Sequence, residues 1–460
     1  YAAAALRSLA REHADNQIAI AKAGAIEPLI NLLGSESTET QEHAVGALLH
    51  LASQDTASRN AVVQRLVAVL GGRNASAQMK AAEALAVLAG RSDENRKAIT
   101  AANAIEPLVH LLGDGKRVRS ATPQERAAAV LADLARVGGD NKKAIVNAGA
   151  VAPLISMLSS DSSEAACHAA AALWQLAALG SNRPAISEAG AIKPLVGLLL
   201  GGSTDAKKYA TGTLWHLASS ADNKTQMVTF GAIPLLVAVL DSKSAEAREH
   251  AAAVVSALAR SQGGNKRAIF QAGGIPPLVA LLSDLRVSTQ RHAASALWGL
   301  SDGKDGVYDK QIAEAGAVRP LLAMLQNDDG ETRGFAVSAL LCICKDQSAH
   351  HAILEAGGGE LLQALSHGSS TRLRGQVVEM LTLLGVPVPD DDYVPGPVQP
   401  IESTADAFGS SPATGSLTGR SVRLGDNAST RSALTARSTR MKFHMFSFQV
   451  HGTTGYLGHT

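Results

Sequence analysis

The segment that decides the fold is Gly273-Gly274-Ile275-Pro276-Pro277-Leu278-Val279-Ala280-Leu281-Leu282, followed by Ala296-Leu297-Trp298-Gly299-Leu300. Copies of its first part begin at residues 24, 149, 190 and 316, and weaker copies begin at 61, 103, 231 and 357. Successive copies lie 37 to 46 residues apart, and five of the eight steps are 41 or 42 residues. A regular period of this length predicts a solenoid of stacked helical repeats.

Each unit is predicted to contain three helices. A polar start with an Asn is expected to cap a short first helix, which the Gly of an Ala-Gly pair ends at a positive φ. A Pro then opens the second helix, where its missing N–H does no harm. These asparagines are Asn16, Asn95, Asn141, Asn182, Asn223 and Asn265.

The longer third helix carries one recurrent apolar residue, which we call the zero leucine and from which we count positions. It is Leu6, Leu48, Leu85, Leu131, Leu173, Leu214, Val255, Leu297, Leu340 and Leu381. At 100° per residue, positions −4, −1 and +3 share its face and are mostly apolar. No single unit covers this face, so neighbouring units must stack on a common core.

The composition agrees with thin layers of closely packed helices. Hydrophobic residues make up 46% of the 460 residues but aromatic residues only 3%. A net charge of +1 argues against a nucleic-acid coat and against a membrane-surface protein. Three cysteines exclude a disulfide framework, and no stretch approaches the roughly 20 apolar residues of a membrane span. These features predict a cytoplasmic location.

The unit length, the three-helix rhythm and the pattern Asn-x-x-x-Ile-x-x-Ala-Gly-Ala-Ile-x-Pro-Leu-x-x-Leu-Leu resemble armadillo repeats over residues 1–386. The resemblance implies an all-α fold, a right-handed α-α superhelix of about nine to ten three-helix repeats with the first one truncated. HEAT repeats are the alternative architecture, but they lack the short first helix and its Ala-Gly stop. Two departures are expected: the unit before residue 61 lacks most of its first helix, and residues 113–120 are an insertion.

Residues 387–460 form a second region, a Pro/Ser/Thr/Arg-rich tail without helical periodicity that is predicted to be disordered. Phe443, Phe446 and Phe448 form an apolar cluster near its end, whose target is left open. The run Lys116-Arg117-Val118-Arg119 is interpreted as a solvated loop, and a nuclear-localisation segment, hence a nuclear location, is the alternative.

The resemblance implies that extended peptides bind along a concave face lined by the third helices. Position +1 holds all three tryptophans, Trp174, Trp215 and Trp298. In importin alpha, which is similar here, such a Trp and an Asn four residues later grip a basic peptide. The matching residues are Ala178, Ser219 and Asp302, which argues against nuclear-localisation signals as ligands. Partner contact and simple packing both remain open for the tryptophans.

Charged residues of the predicted exposed columns (+1, +5, −2, +2 and −5) favour an acidic partner mildly, because seven are basic and four acidic. The basic candidates for partner binding at +5 are Arg11, Arg136, Arg260 and Lys345. Position −5 holds His43, His168, His250 and His292, and because equivalent sites lie one layer apart, no two of them can share a metal ion. We therefore interpret them as surface residues that would gain charge at low pH.

No catalytic, phosphate-binding or zinc-ligand motif is present, so no enzyme activity, no cofactor and no metal are expected. We predict a monomeric, non-catalytic scaffold that binds an extended protein segment, with neither nucleic acid nor a small molecule as ligand. The repeats also resemble those of plant and protist armadillo proteins such as U-box ubiquitin ligases and BTB-type adaptors. The alternative is therefore a substrate-recruiting module whose active domain lies upstream of Tyr1.

Overall fold

The structure is a computed structural model, and it describes residues 1–389 except 12, 54, 114–120, 262–263, 302–307 and 369–370. These residues form 27 α-helices and two 3₁₀ turns, with no β-strand among them. No helix in this part of the chain is long and apolar enough to cross a bilayer. All but the first three residues of the predicted tail, most of the predicted insertion and the basic run at 116–119 lie outside the described residues.

The N-terminal repeats begin with an isolated third helix, α1, and continue with one unit after another. Their helices are α1 (Ala2–Ala10), α2 (Ala14–Lys22), α3 (Ile26–Asn31) with the 3₁₀ turn Leu32–Gly34, α4 (Thr38–Leu51), α5 (Thr56–Leu70), α6 (Ala75–Arg91), α7 (Asp93–Ala101), α8 (Ile105–Leu112), α9 (Ala121–Ala135), α10 (Gly139–Asn147), α11 (Val151–Met157) and α12 (Ser163–Ala177).

The later repeats keep the same order of first, second and third helix. Their helices are the 3₁₀ turn Gly180–Asn182 with α13 (Arg183–Glu188), α14 (Ile192–Gly201), α15 (Thr204–Leu217), α16 (Ala221–Thr229), α17 (Ala232–Val239), α18 (Ala245–Ala259), α19 (Asn265–Gln271), α20 (Ile275–Leu281), α21 (Val287–Ser301), α22 (Asp309–Glu314), α23 (Val318–Met324), α24 (Gly330–Ile343), α25 (Gln347–Glu355), α26 (Gly358–Gly368) and α27 (Thr371–Leu384).

One apolar core runs through all the units, because each third helix packs against the third helix of the next unit. Every zero leucine from Leu48 to Leu381 is 0% exposed, Val255 included. Leu6 on α1 is half-buried, since no unit lies on its other side among the described residues. The stacked arrangement deduced from the leucine period is therefore the observed one.

The turn between first and second helix has the backbone predicted for it. Gly24, Gly149, Gly190, Gly231, Gly273, Gly316 and Gly357 all have a positive φ, between 74° and 86°. In the unit that lacks this glycine, Asn103 takes its place at φ 58°. Asparagine is one of the few other residues that tolerate the left-handed region, so the turn survives the exchange.

The second unit differs from the rest, because α5 is one helix of 15 residues where other units have two, whereas the sequence predicts the loss of most of the first helix. It starts at Asp55, whose side chain accepts a hydrogen bond from the Ser58 backbone N–H at 2.8 Å. Without the Ala-Gly turn nothing interrupts the helix, and first and second helices merge. The 3₁₀ turn at Leu32–Gly34 packs against both α4 and α6 beside it.

The prediction that the repeated asparagines cap the first helices is wrong. None of the six side chains makes an N-cap hydrogen bond; each amide nitrogen instead donates backward to a carbonyl in the last turn of the preceding third helix. The acceptor oxygens belong to Leu9, Leu88, Leu134, Leu176, Leu217 and Leu258, at 2.8 to 3.3 Å. The asparagine thus adds a hydrogen bond to a carbonyl in the last turn of the preceding helix, where the regular helical hydrogen bonds end.

We expect Asn223→Ala to lower the free energy of unfolding by about 0.5–1.5 kcal/mol, since it removes a buried hydrogen bond to the Leu217 carbonyl. Asn223 is 5% exposed, and its amide lies 2.9 Å from the Leu217 oxygen. Asn16→Ala is the matched control, because Asn16 makes the same bond to Leu9 at 2.9 Å while it is exposed. Urea unfolding followed by circular dichroism measures both losses. The loss should be smaller for Asn16→Ala, because water can replace an exposed amide, and equal losses would show that burial of the asparagine does not matter.

Candidate functional site

The three tryptophans follow the zero leucine on α12, α15 and α21, and all three are half-buried. Each ring lies against the −5 side chain of the next repeat. Ring centroids are 5.5 Å apart for Trp174 and Tyr209, 5.5 Å for Trp215 and His250, and 5.9 Å for Trp298 and Phe335. Position +1 of one unit and position −5 of the next therefore form an aromatic contact between repeats.

The interpretation of the −5 histidines as surface residues is corrected by these contacts. His250 is only 7% exposed, and His43, His168 and His292 are half-buried. Burial lowers the pKa of both His168 and His250 below the usual value. The column was expected to gain charge in weak acid, but its buried members resist protonation instead.

Trp174 and Trp215 differ in their surroundings. The Trp174 Nε1 atom is buried without a hydrogen-bond partner among the described residues, and a Cβ added at Gly212 would lie 2.6 Å from it. Trp174 is thus a packing residue that requires a glycine opposite. Trp215 stacks on His216 at 5.0 Å and approaches His292 at 5.9 Å, and it also lines an open cavity.

That cavity, the central groove, has a volume of about 630 Å³ and runs across α15, α18, α21 and α24. Its lining includes Trp215, Arg260, Arg183, Arg291, His292 and Phe335. A second cavity of about 240 Å³, the Trp298 pocket, lies between α21, α24 and α27 and shares Glu331 and Phe335 with the groove. The two cavities therefore lie side by side, and we call them together the channel, whose lining comes from five third helices.

Positive charge dominates the central groove. Arg183, Arg260 and Arg291 line it, and Glu331 is its only acidic lining residue within the described part of the chain. Glu331 is already paired, because its Oε2 atom lies 2.8 Å from the Arg291 guanidinium. The arginines also affect the two histidines of the groove. Burial, and after it the charge of Arg183, lowers the pKa of His216 to about 4. Burial, and after it the charge of Arg291, lowers the pKa of His292 to about 4.

These two histidines make stability depend on pH in a defined direction. Unfolded histidine has a pKa near 6.5, above the folded value of about 4, so the unfolded state binds more protons between these values. The contribution of these two histidines to the free energy of unfolding is therefore complete above pH 6.5 and is lost as the pH falls toward 4. We expect the free energy of unfolding to fall by about 1–2 kcal/mol per histidine when the pH is lowered from 7 to 5. The test is urea unfolding at pH 7 and pH 5 of the wild type and of the double variant His216→Gln, His292→Gln. The stability of the double variant should change less between the two pH values. An equal change in both proteins would contradict the role of these histidines.

The structure brings together only part of the predicted site. Trp215 and Arg260 both line the central groove, and Trp298 lines the adjoining pocket. The other basic candidates, Arg11, Arg136 and Lys345, are exposed but line neither cavity. Arg136 lies 3.6 Å from Asp133, so part of the charge excess counted on the columns is neutralised within them.

The sequence columns missed Arg183 and Arg291. Arg183 opens the first helix α13, and its Nε atom donates to the Ala177 carbonyl at 3.0 Å, which holds the guanidinium beside the end of α12. Arg291 occupies position −6, next to the −5 column. Both residues lie next to a repeated position in the sequence. Arg183 directly follows the repeated asparagine Asn182, and Arg291 directly precedes His292 of the −5 column.

Of the three residues that replace Asn at the +5 position after a tryptophan, Ala178 and Ser219 are exposed, and Asp302 lies outside the described residues. The described residues contain no group of three or more His, Cys, Asp or Glu side chains that could hold a metal ion. Cys342 and Cys344 are buried, and burial raises the pKa of Cys344 to about 11, which keeps this thiol protonated.

Solved structures and curated proteins resemble this chain to different extents. An engineered protein of known crystal structure matches at 33% identity with a TM-score of 0.66, over 84% of this chain and 94% of its own. A designed armadillo repeat protein matches at 26% identity over 52% of this chain and 99% of its own, with a TM-score of 0.46. The first of these supports the predicted all-α solenoid over nearly all the described repeats.

Curated relatives share one short stretch with this chain. E3 ubiquitin-protein ligase SPL11 of Oryza sativa subsp. japonica is 59% identical over 51 residues, and U-box domain-containing protein 14 of Arabidopsis thaliana is 53% identical over 51 residues. Each match covers 11% of this chain and only 7% and 8% of the relatives.

The family model of the plant U-box protein ARM repeat region matches this chain twice, over residues 1–220 and 60–349. ARM is the abbreviation of armadillo, so the match agrees with the repeat pattern, the left-handed turns and the stacked third helices. The two matches together span residues 1–349, well over half of the 460 residues. The chain belongs to the family of the plant U-box protein ARM repeat region.

Proposed function

We propose that this chain is a monomeric, non-catalytic scaffold of the cytoplasm that binds an extended protein segment along the channel formed by the central groove and the Trp298 pocket. An ARM repeat region is a protein-binding scaffold fold. The observation that carries the proposal is the channel itself, because two half-buried tryptophans line a surface that is open over five third helices. Exposed aromatic faces beside arginines are the composition typical of binding hot spots.

The ligand proposed is an acidic segment with an apolar or aromatic side chain. Arg183 and Arg260 lie on the groove wall, and among the described residues neither forms an ion pair, whereas Arg291 is held by Glu331 and Asp329 at 2.8 and 3.8 Å. Partner carboxylates would form charge-assisted hydrogen bonds with the two arginines. Trp215 and Phe335 each line the groove, and either aromatic face would take an apolar side chain of the ligand.

A displayed library of random 16-residue peptides, selected on the purified full chain in low salt, tests the proposal. We expect the enriched peptides to carry an excess of Asp and Glu, at least one large apolar residue and few Lys or Arg residues. Raising the NaCl concentration should lower the affinity of the selected peptides by about tenfold, because salt screens charge pairs that are partly exposed to solvent. Enrichment of basic peptides, or none at all, would overturn the assignment of this ligand.

The second candidate is the substrate-recruiting module of a ubiquitin ligase, favoured by the family model and by the 59% identity to an E3 ligase over 51 residues. In that case the same channel would hold the substrate, and the transfer of ubiquitin would depend on a separate domain. Ubiquitin transfer by the full-length natural gene product with E1 and E2 enzymes is the measurement. A gene product inactive with a panel of E2 enzymes would exclude this candidate and leave the scaffold standing.

A further inference from the structure

The proposed binding channel has a candidate occupant within the same chain. We propose that the acidic segment 390–406 binds the central groove of its own solenoid and competes with external partners for it. The inference rests on the proposed function, because it names the regulation of that same channel. It is carried by three observations: the position at which the described chain ends, the charge of the residues beyond that end, and the reach of the segment.

The described chain ends on the last repeat, at the end of α27 opposite to the residues that line the Trp298 pocket. After α27, the Val386 backbone N–H donates to the Leu381 carbonyl at 2.9 Å, and the Pro387 carbonyl accepts from Gln363 Nε2 at 2.9 Å. These bonds hold residues 386–387 on the last repeat. Leu373 and Gln376 of α27 line the Trp298 pocket, so the acidic segment starts from the repeat that closes the channel.

The charges of segment and groove are complementary. Residues 390–406 contain five carboxylates, Asp390, Asp391, Asp392, Glu402 and Asp406, and no Lys or Arg. The groove offers Arg183 and Arg260, and its half-buried histidines, His216 and His292, lie beside arginines that help to keep them uncharged. Tyr393 and Ile401 supply large apolar side chains within the same segment. The more distant tail is basic from Arg420 onward and does not match the groove in charge.

The segment is long enough to reach the groove. A segment of this length spans up to about 55 Å when extended. Third helices pack about 10 Å apart, so the steps from α27 back to α18 and α15 need about 30–40 Å. Glu402 and Asp406 can reach that far, whereas the three aspartates at 390–392 stay near the last repeat. A tethered ligand has an effective concentration in the millimolar range, and so even weak charge pairing is sufficient for occupancy. An external partner must then displace the segment before it binds.

The test uses the full-length chain and a fluorescein-labelled synthetic peptide of residues 388–407 as the probe. One variant neutralises the segment, Asp390→Asn, Asp391→Asn, Asp392→Asn, Glu402→Gln and Asp406→Asn. Its control removes five charges farther along, Arg420→Gln, Arg423→Gln, Arg431→Gln, Arg437→Gln and Arg440→Gln. Both sets lie beyond the described residues, so neither replaces a side chain of the apolar core described above. Fluorescence anisotropy gives the Kd of the probe for each chain.

We expect the neutralised chain to bind the probe at least about tenfold more tightly than wild type, and the control chain to behave as wild type. Adding Arg260→Glu to the neutralised chain should abolish binding, which places the probe in the groove. Equal affinity of wild type and neutralised chains, with binding still sensitive to Arg260→Glu, overturns self-occupancy and leaves the channel as a binding site. Binding that is insensitive to Arg260→Glu overturns both.

Discussion

In the double variant Trp215→Ala, Arg260→Glu we expect affinity for an acidic channel peptide to fall about 100-fold or more. Removing a tryptophan or an arginine at the centre of an interface typically costs about 2 kcal/mol or more, and about 1.4 kcal/mol is a tenfold change. Trp215 loses its ring from the groove wall, and Arg260 is replaced by a charge that repels the ligand. The measurement is isothermal titration with a peptide taken from the library selection.

The matched control for this variant is Arg136→Glu. Arg136 occupies the same +5 position on another repeat, is exposed and lines neither cavity. Its affinity should match wild type within about twofold. Circular dichroism of all the variants must show unchanged helicity, since Trp215 also contacts His250 and His292. Unchanged affinity of the double variant would place the ligand elsewhere on the solenoid.

The second large effect is expected from Leu217→Ala, which should lower the free energy of unfolding by about 3–5 kcal/mol. Leu217 is at position +3 on α15 and is 0% exposed between neighbouring repeats. The cavity would weaken the contacts on both sides, because repeats are stabilised mainly by their neighbours. Hydrogen exchange should therefore show faster exchange in α15 and in the adjoining helices α12 and α18 than in α4 or α24.

Leu9→Ala is the control at the same repeat position. Leu9 is 54% exposed on α1, so the loss should stay below about 1 kcal/mol. The comparison separates the chemistry of the residue, which is identical, from its burial, which is not. A Leu9→Ala variant as unstable as Leu217→Ala would mean that α1 is covered by something other than the described repeats.

The fold was largely predictable because its determinants recur. The leucine period and the Ala-Gly turn each follow from local spacing, and the structure shows both. The short step before residue 61 marks an irregular unit, although its first helix is merged with the second and not lost. The role of Asn223 was not predictable in the same way. An asparagine near a helix start can cap that helix or bond backward to the previous one, and only the packing of the two helices decides between them.

Single residues of the candidate site could be predicted from the sequence, but which of them lie together in one groove could not. Trp215 and Arg260 come from separate sequence columns, and the structure places both on the wall of one groove. Position −5 was expected to be exposed, although the Trp side chain at +1 covers it from the previous repeat, as at His250. This contact joins residues of different repeats, so no pattern within a single repeat contains it. Arg183 was missed for a similar reason, since it reaches the groove from a first helix.

The fused helix α5 limits the stretch of solenoid that one ligand can follow. A polypeptide lying along the solenoid presents side chains at a constant interval, and it meets equivalent residues only while the repeats keep a constant pitch. The 37-residue step before residue 61 breaks that pitch between α4 and α6. We expect the register for one continuous ligand to begin at α6, so that a ligand bound in the channel gains nothing from the equivalent positions on α1 and α4.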